Sequence, residues 1–203
     1  MKRFVLLIVL FSTFSFSVSA FAQVPKRDGW YFAGGYEQHV FYSRDHRKAA
    51  VGVPSSKITF GPGFGLHVMG GYHFPQSRFG IQVPIDYSNV ELNRRERINT
   101  ISVSAEGVMH LKEWENGAEL HLLSGLGTIY FDEGEVDNKS RDVGALASFG
   151  AGISVYFNQQ KKNATALNIE VPLQAIYFPR DRLSGSGTFV FSVPIRVGVL
   201  VRF

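Results

Sequence analysis

The sequence predicts an all-β protein, an eight-stranded antiparallel up-and-down transmembrane β-barrel. Three observations carry this reading. Apolar residues alternate with polar or small ones in segment after segment. The connections between segments alternate between long and short. After residue 22 no apolar run reaches the roughly 20 residues that a spanning helix needs.

Residues 1–22 stand outside this pattern. Lys2 and Arg3 make a short positive start, an apolar run follows at residues 4–11, and Ala20 and Ala22 supply the small residues that a signal peptidase reads. The expectation is a cleaved signal peptide over 1–22 and a barrel domain over 23–203, carried through the inner membrane to the bacterial outer membrane. The chain contains no cysteine, which excludes a disulfide scaffold and a lipoprotein anchor. Its formal charge of +4 and pI near 9.4 would suit nucleic acid. A secreted chain meets anionic lipid and polysaccharide first, so no nucleic-acid partner is expected.

Strands are expected to begin near Trp30, Ile58, Arg78, Ile98, Ala118, Val143, Ala166 and Thr188. The last shows the rule best: Phe189, Phe191, Val193, Ile195, Val197, Val199, Val201 and Phe203 are apolar, whereas Thr188, Ser192, Pro194, Arg196, Gly198 and Arg202 between them are polar or small. In a membrane barrel the first set meets lipid and the second fills the lumen. Along the third strand Ile81, Val83 and Ile85 oppose Gln82, Pro84 and Asp86; along the seventh Ile169, Val171 and Leu173 oppose Glu170, Pro172 and Gln174. With the N-terminus periplasmic, the outer loops are 43–57, 89–97, 132–142 and 179–187, and the inner turns lie at Pro75, Glu113 and Asn158. Aromatic residues near strand ends, among them Trp30, Tyr31, Tyr72, Phe74, Phe131 and Phe203, suggest interface girdles.

The final segment RVGVLVRF, with Gly198, Val201 and Phe203, resembles the assembly signal read by the outer-membrane insertion machinery. With the leader and the strand count, the chain resembles the small OmpA-like or OmpX-like eight-stranded barrels over nearly its whole mature length. The resemblance implies a place more than an activity: an outer-membrane barrel without the peptidoglycan-binding domain of full-length OmpA, expected as a monomer.

A barrel of eight strands is just wide enough for its own side chains or one small ligand. Glu37, His39, His67, Asp86, Glu106, Gln174 and Arg196 fall on the expected lumen face, with Glu37 and Arg196 midway along the two strands that close the barrel. They read as a network that satisfies buried charge, or as a proton relay or ion path. Glycines at 61, 63, 65, 125, 127, 150 and 152 share that face. They either let the sheet coil tightly or leave a pocket for a hydrocarbon chain.

The outer loops are basic, with Arg44, Arg47 and Lys48 in the first, Arg94, Arg95 and Arg97 in the second, and Arg180 and Arg182 in the fourth. Such cations pair with lipopolysaccharide phosphates or with an anionic host polymer. The acidic third loop matches no calcium-loop spacing, and the histidines show no metal-ligand spacing, so no metal or other cofactor is expected. Ser43, Asp45 and His46 faintly resemble the outer-loop set of PagP-type lipid A acyltransferases, but residues so close in sequence seldom hold a triad's geometry. No catalytic residue is assigned.

One motif remains. IQVPID, IEVPLQ and FSVPIR put Pro84, Pro172 and Pro194 inside strands, where proline offers no ladder donor. Folding the chain near Leu183 brings Pro172 close to Pro194. Either both sit at bulges or take water from the lumen, or they form a weakened seam resembling the lateral openings of PagP-type barrels. The leading expectation is a non-enzymatic envelope or surface-interaction protein. The alternatives are a lipid A-modifying enzyme with access at the seam, and a narrow channel.

Overall fold

The computed structural model describes residues 28–42, 60–92, 96–132, 141–157, 163–178 and 188–203. Eight strands follow one another: β1 Gly29–Tyr42, β2 Phe60–His73, β3 Phe79–Leu92, β4 Glu96–Glu113, β5 Ala118–Asp132, β6 Arg141–Tyr156, β7 Ala164–Phe178 and β8 Thr188–Arg202. Each pairs antiparallel with its sequence neighbour, and β8 returns to β1 to close the barrel. Strands of 14 to 18 residues exceed the ~9–11 that a tilted transmembrane strand requires.

The period of two sorts the side chains. Phe32, Phe64, Leu66, Ile81, Leu126, Leu173 and Val199 point outward and are exposed, Leu126 by 70%. Among the described residues, the outward charges Glu91, Arg97 and Lys112 lie near strand ends. Trp30, Tyr72 and Phe74 stack along the rim at the end where the chain makes its short turns, with ring centroids 5.0 and 5.6 Å apart. There Gly117 takes φ +85 to close the β4–β5 turn, and Trp114 N–H bonds to Ala118 O at 2.8 Å.

Several boundaries differ from the sequence reading. β3 and β4 run further than the apolar alternation suggested: β3 ends at Leu92 and β4 begins at Glu96, so much of the expected outer loop 89–97 is strand and Arg97 belongs to β4. Asp132 and Arg141 likewise lie in strands. Leu111 is skipped by the register between His110 and Lys112, a bulge that hydrophobic alternation does not reveal. Tyr31 and Phe131, expected in the girdles, point inward and are buried, because their parity in the strand outweighs their position near its end.

The glycines allow close approach of neighbouring strands. A Cβ on Gly65 would meet Tyr87 O and Ser88, one on Gly125 would meet Ala105 O and Glu106, and one on Gly150 would meet Val171 O and Pro172. At these positions the wall is coiled tightly against the next strand, and no space for a hydrocarbon chain opens there. Gly35 and Gly198 are register partners across the closing β1–β8 pair, where a Cβ on either would strike the facing backbone.

Candidate functional site

Parity puts Arg196 of β8 inside the barrel, where it is fully buried. Its guanidinium reaches carboxylates from four other strands: Asp86 of β3 at 2.7 Å, Glu37 of β1 at 3.4 Å, and Glu106 of β4 and Glu170 of β7 each at 3.5 Å. The planar fork of arginine supplies donors in several fixed directions, which suits this radial contact. Register makes Glu37, Arg196 and Glu170 adjacent across β1, β8 and β7.

Neutral side chains complete the set. Gln82 Nε2 donates to Glu106 at 2.9 Å and lies 3.4 Å from Glu170, while Gln82 Oε1 accepts from Tyr31 Oη at 3.1 Å. Ser104 and Ser148 both donate to Glu106 Oε1, at 3.1 and 3.0 Å. Ser102 donates to Asp86 at 3.0 Å, and Asn168 to Glu170 at 3.3 Å. His39 Nε2 contacts Glu37 Oε1, and His39 Nδ1 lies 3.3 Å from Ser192 Oγ, which donates to Gln174 at 3.0 Å. His67 is buried beside this group.

A second cluster lies toward the turn end. His73 and His110 stack edge-on at 4.1 Å, His110 and His121 lie 6.0 Å apart, His110 contacts Glu119, and His121 Nε2 is 3.4 Å from Glu170. Arg202 sits 4.0 Å from Glu119, between the rings of Tyr31 and Tyr156 at 5.4 and 5.5 Å. The histidines look scattered in sequence because β2, β4 and β5 each contribute one. Register alone brings them together. Among the described residues, no three His, Asp or Glu side chains are placed to hold a metal ion.

Apolar clusters bound this polar interior. At the loop end Val90, Ile98, Ile129, Phe131, Leu146, Ile176 and Val190 meet from six strands. At the turn end Tyr31, Ala33, Met69, Tyr156, Ala164, Ala166 and Leu200 form another group. The lumen face is therefore apolar at the loop end and mixed at the turn end, where Arg202, Glu119, His73 and His110 lie among the apolar side chains.

The structure places Glu37, His39, His67, Asp86, Glu106, Gln174 and Arg196 together inside the barrel. Glu170, Gln82, Asn168 and the Glu119–His110 pair belong with them. Their alternation along β3, β4, β5 and β7 was the signal that marks them. Arg97 is exposed at the loop end of β4. Arg44, Arg47, Lys48, Arg94, Arg95, Arg180 and Arg182 lie outside the described residues, as do Ser43, Asp45 and His46.

Pro84, Pro172 and Pro194 are inward and buried. Between β7 and β8 the ladder runs to Glu170↔Arg196, stops, and resumes at Gln174↔Ser192 in the same register. Pro172 and Pro194 therefore face each other, and no bulge lies between them, which removes the bulge expected as one possibility above. Each lacks the N–H that the other's carbonyl would accept, so two ladder bonds are lost at one place. A similar break faces Pro84, between Gln82↔Glu106 and Ile85↔Val103. Behind the β7–β8 break stand Gln174, whose Nε2 has no partner, Ser192 and His39, all polar. Changing both residues, Pro172→Ala and Pro194→Ala, should restore two backbone bonds worth about 0.5–1.5 kcal/mol each. Urea unfolding in lipid and amide exchange at the new N–H groups measure the gain; unprotected amides and an unchanged midpoint would contradict the facing arrangement.

No protein-family model matches the chain, and no curated protein sequence does. Solved structures do. Neisserial surface protein A (NspA) aligns over 86% of this chain and 97% of its own, at 14% identity and a TM-score of 0.61. The outer membrane protein OprG from Pseudomonas aeruginosa aligns over 90% and 99%, at 12% identity and a TM-score of 0.52. At such identities the likeness is one of fold: this chain has the architecture of the small eight-stranded outer-membrane β-barrels.

Proposed function

We propose that the chain is a non-enzymatic protein of the bacterial outer membrane, whose barrel holds basic outer loops against the phosphates of lipopolysaccharide. The observation that carries this is the division of the molecule into an apolar belt outside and a packed, internally paired charge core within. A wall of that kind is stable only in lipid, because contiguous exposed apolar surface of this extent is not carried by water-soluble monomers. The interior charges are engaged with one another, which leaves the loops and lipid-facing rim as the surfaces that meet partners.

The fold relatives support the location, since one is named a surface protein and the other an outer membrane protein. On this reading residues 1–22 direct export and are removed, Gly198, Val201 and Phe203 address the assembly machinery, and the barrel works as a monomer without a cofactor. Among the described residues, the β7–β8 break is the feature that favours lipid entry and lipid A modification. What lies directly behind it is the polar set of Gln174, Ser192 and His39, which offers an acyl chain polar contacts at the point of entry.

Basic residues near an anionic leaflet contribute about 1 kcal/mol each. Replacing Arg44, Arg47 and Lys48 together with glutamine should therefore weaken association with lipopolysaccharide-containing nanodiscs by about 3 kcal/mol, with a matching loss of salt dependence. Phosphatidylcholine nanodiscs serve as the reference. Equal association of the native and substituted proteins with lipopolysaccharide would sink the proposal.

A further inference from the structure

On the outer face of β3 and β4 the apolar belt gives way to polar side chains before the strands end. Along β3 the outward residues Phe79, Ile81, Val83 and Ile85 are followed by Tyr87, Asn89 and Glu91. Along β4, Val103 and Ile101 are followed by Asn99 and Arg97. Register lays these side chains in rows across the wall. Ile85 stands beside Val103, Tyr87 beside Ile101 and then Tyr130 of β5, Asn89 beside Asn99, and Glu91 beside Arg97. At the loop ends of β7 and β8 the outward residues are instead aromatic, Tyr177 and Phe191, so the polar rows do not run round the whole rim.

Their height is that of a lipid headgroup. The ten residues from Phe79 to Asn89, at ~3.3 Å each and a tilt of about 40°, rise about 25 Å, which is the height of the apolar band on such barrels. Acyl chains beside this sector meet Val83, Ile85, Ile101 and Val103, and the headgroup begins at Asn89 and Asn99.

The two amides are already set by hydrogen bonds. Asn99 Oδ1 accepts from Asn89 Nδ2 at 2.8 Å and from Tyr87 Oη at 3.2 Å. The bond between the amides uses one polar group of each, so Asn89 keeps its oxygen and Asn99 its NH2 for a further partner. Turning both amides over exchanges the roles and leaves the same pair, one donor and one acceptor. A phosphate alone takes donors only. Sugar hydroxyl and amide groups both give and accept, which matches this pair. Tyr87 and Tyr130 lie one row below and supply the aromatic surface suited to the interface. Arg97, exposed one row above, offers the planar fork that fits a phosphate.

We propose that this face of β3 and β4 binds the phosphorylated glucosamine headgroup of one lipid A molecule. Asn89 and Asn99 hold the sugar's hydroxyl and amide groups, Arg97 a phosphate, and Tyr87 and Tyr130 lie beneath the ring. This rests on the reading that the loop end lies in the outer leaflet, and it adds a site on paired strands, which fix side chains better than loops do. A glycerophospholipid brings the phosphate without the ring of hydroxyls, so it is the weaker ligand.

The test is a competition between lipid A and phosphatidylethanolamine for the protein folded in detergent micelles, read by native mass spectrometry. The native protein should retain one lipid A at least tenfold over phosphatidylethanolamine. Asn89→Leu with Asn99→Leu should cut that preference about tenfold, the loss expected for one or two hydrogen bonds. Arg97→Gln should remove the distinction between lipid A with and without its phosphates. These side chains point outward, away from the packed interior; if the double variant does not fold, Arg97→Gln decides. Strand variants with the native preference, or a native protein with none, would overturn the site. Replacement of Arg44, Arg47 and Lys48, which leaves this face intact, decides separately whether the loops bind lipopolysaccharide.

Discussion

Replacing Arg196 with methionine should destabilise the barrel by at least about 3–5 kcal/mol, the cost of leaving buried partners of an ion pair uncompensated. The effect is large because one guanidinium joins carboxylates from β1, β3, β4 and β7, so its loss leaves four acids facing one another in a closed interior. Arg196→Lys keeps the charge but not the fork, and one ammonium on a flexible stem does not span four directions. It should fall between the native protein and Arg196→Met. Adding Glu37→Gln and Asp86→Asn to Arg196→Met removes two of the stranded charges and should recover a large part of the loss. Urea unfolding in lipid vesicles, followed through the fluorescence of Trp30 and Trp114, measures all three. An Arg196→Met variant within 1 kcal/mol of native would show that the cluster is not held by this residue.

That result turns on a residue whose place is legible from a period of two. One parity governs a strand wherever no bulge interrupts it, so Arg196, Asp86, Glu37 and Glu170 are set inside by the same alternation that sets Ile195, Ile85, Tyr36 and Ile169 outside. The closed eight-stranded order was legible for the same reason, together with the long and short connections. Relations between strands were less so. The meeting of His73, His110 and His121 depends on the registers of three separate strands and on the bulge near Leu111, which no local pattern marks. The facing of Pro172 and Pro194 was half legible: folding about Leu183 brings them near, but only the shared register on both sides of the break excludes a bulge.

The ends of the lumen were the least legible part. Val90, Leu146, Ile176 and Val190 are apolar on the face assigned to polar residues. Near a barrel mouth, inward aliphatic side chains fill the interior without needing hydrogen-bond partners, and they interrupt the alternation over only one or two positions. A sequence window long enough to detect the period averages them away. Phe131 belongs to the same group, which is why it is buried in the plug and absent from the girdle.

That apolar plug makes the second large prediction. The account holds that the interior is a packed structural core, closed at the loop end by Val90, Ile98, Ile129, Phe131, Leu146, Ile176 and Val190 and crossed in the middle by the Arg196 cluster. The seven side chains at the loop end are exposed by 7% or less. Entry of hydrated ions would require both a dewetted apolar layer to open and paired charges to separate. Ion conduction would return the interior to the role of a channel and remove the reason to look for function in the loops. The direct measurement is a planar-bilayer recording of the purified, folded barrel across a range of voltages. The account predicts a silent membrane, with no step conductance in the native protein. Reproducible unitary steps from the native protein, lost on unfolding, would contradict it.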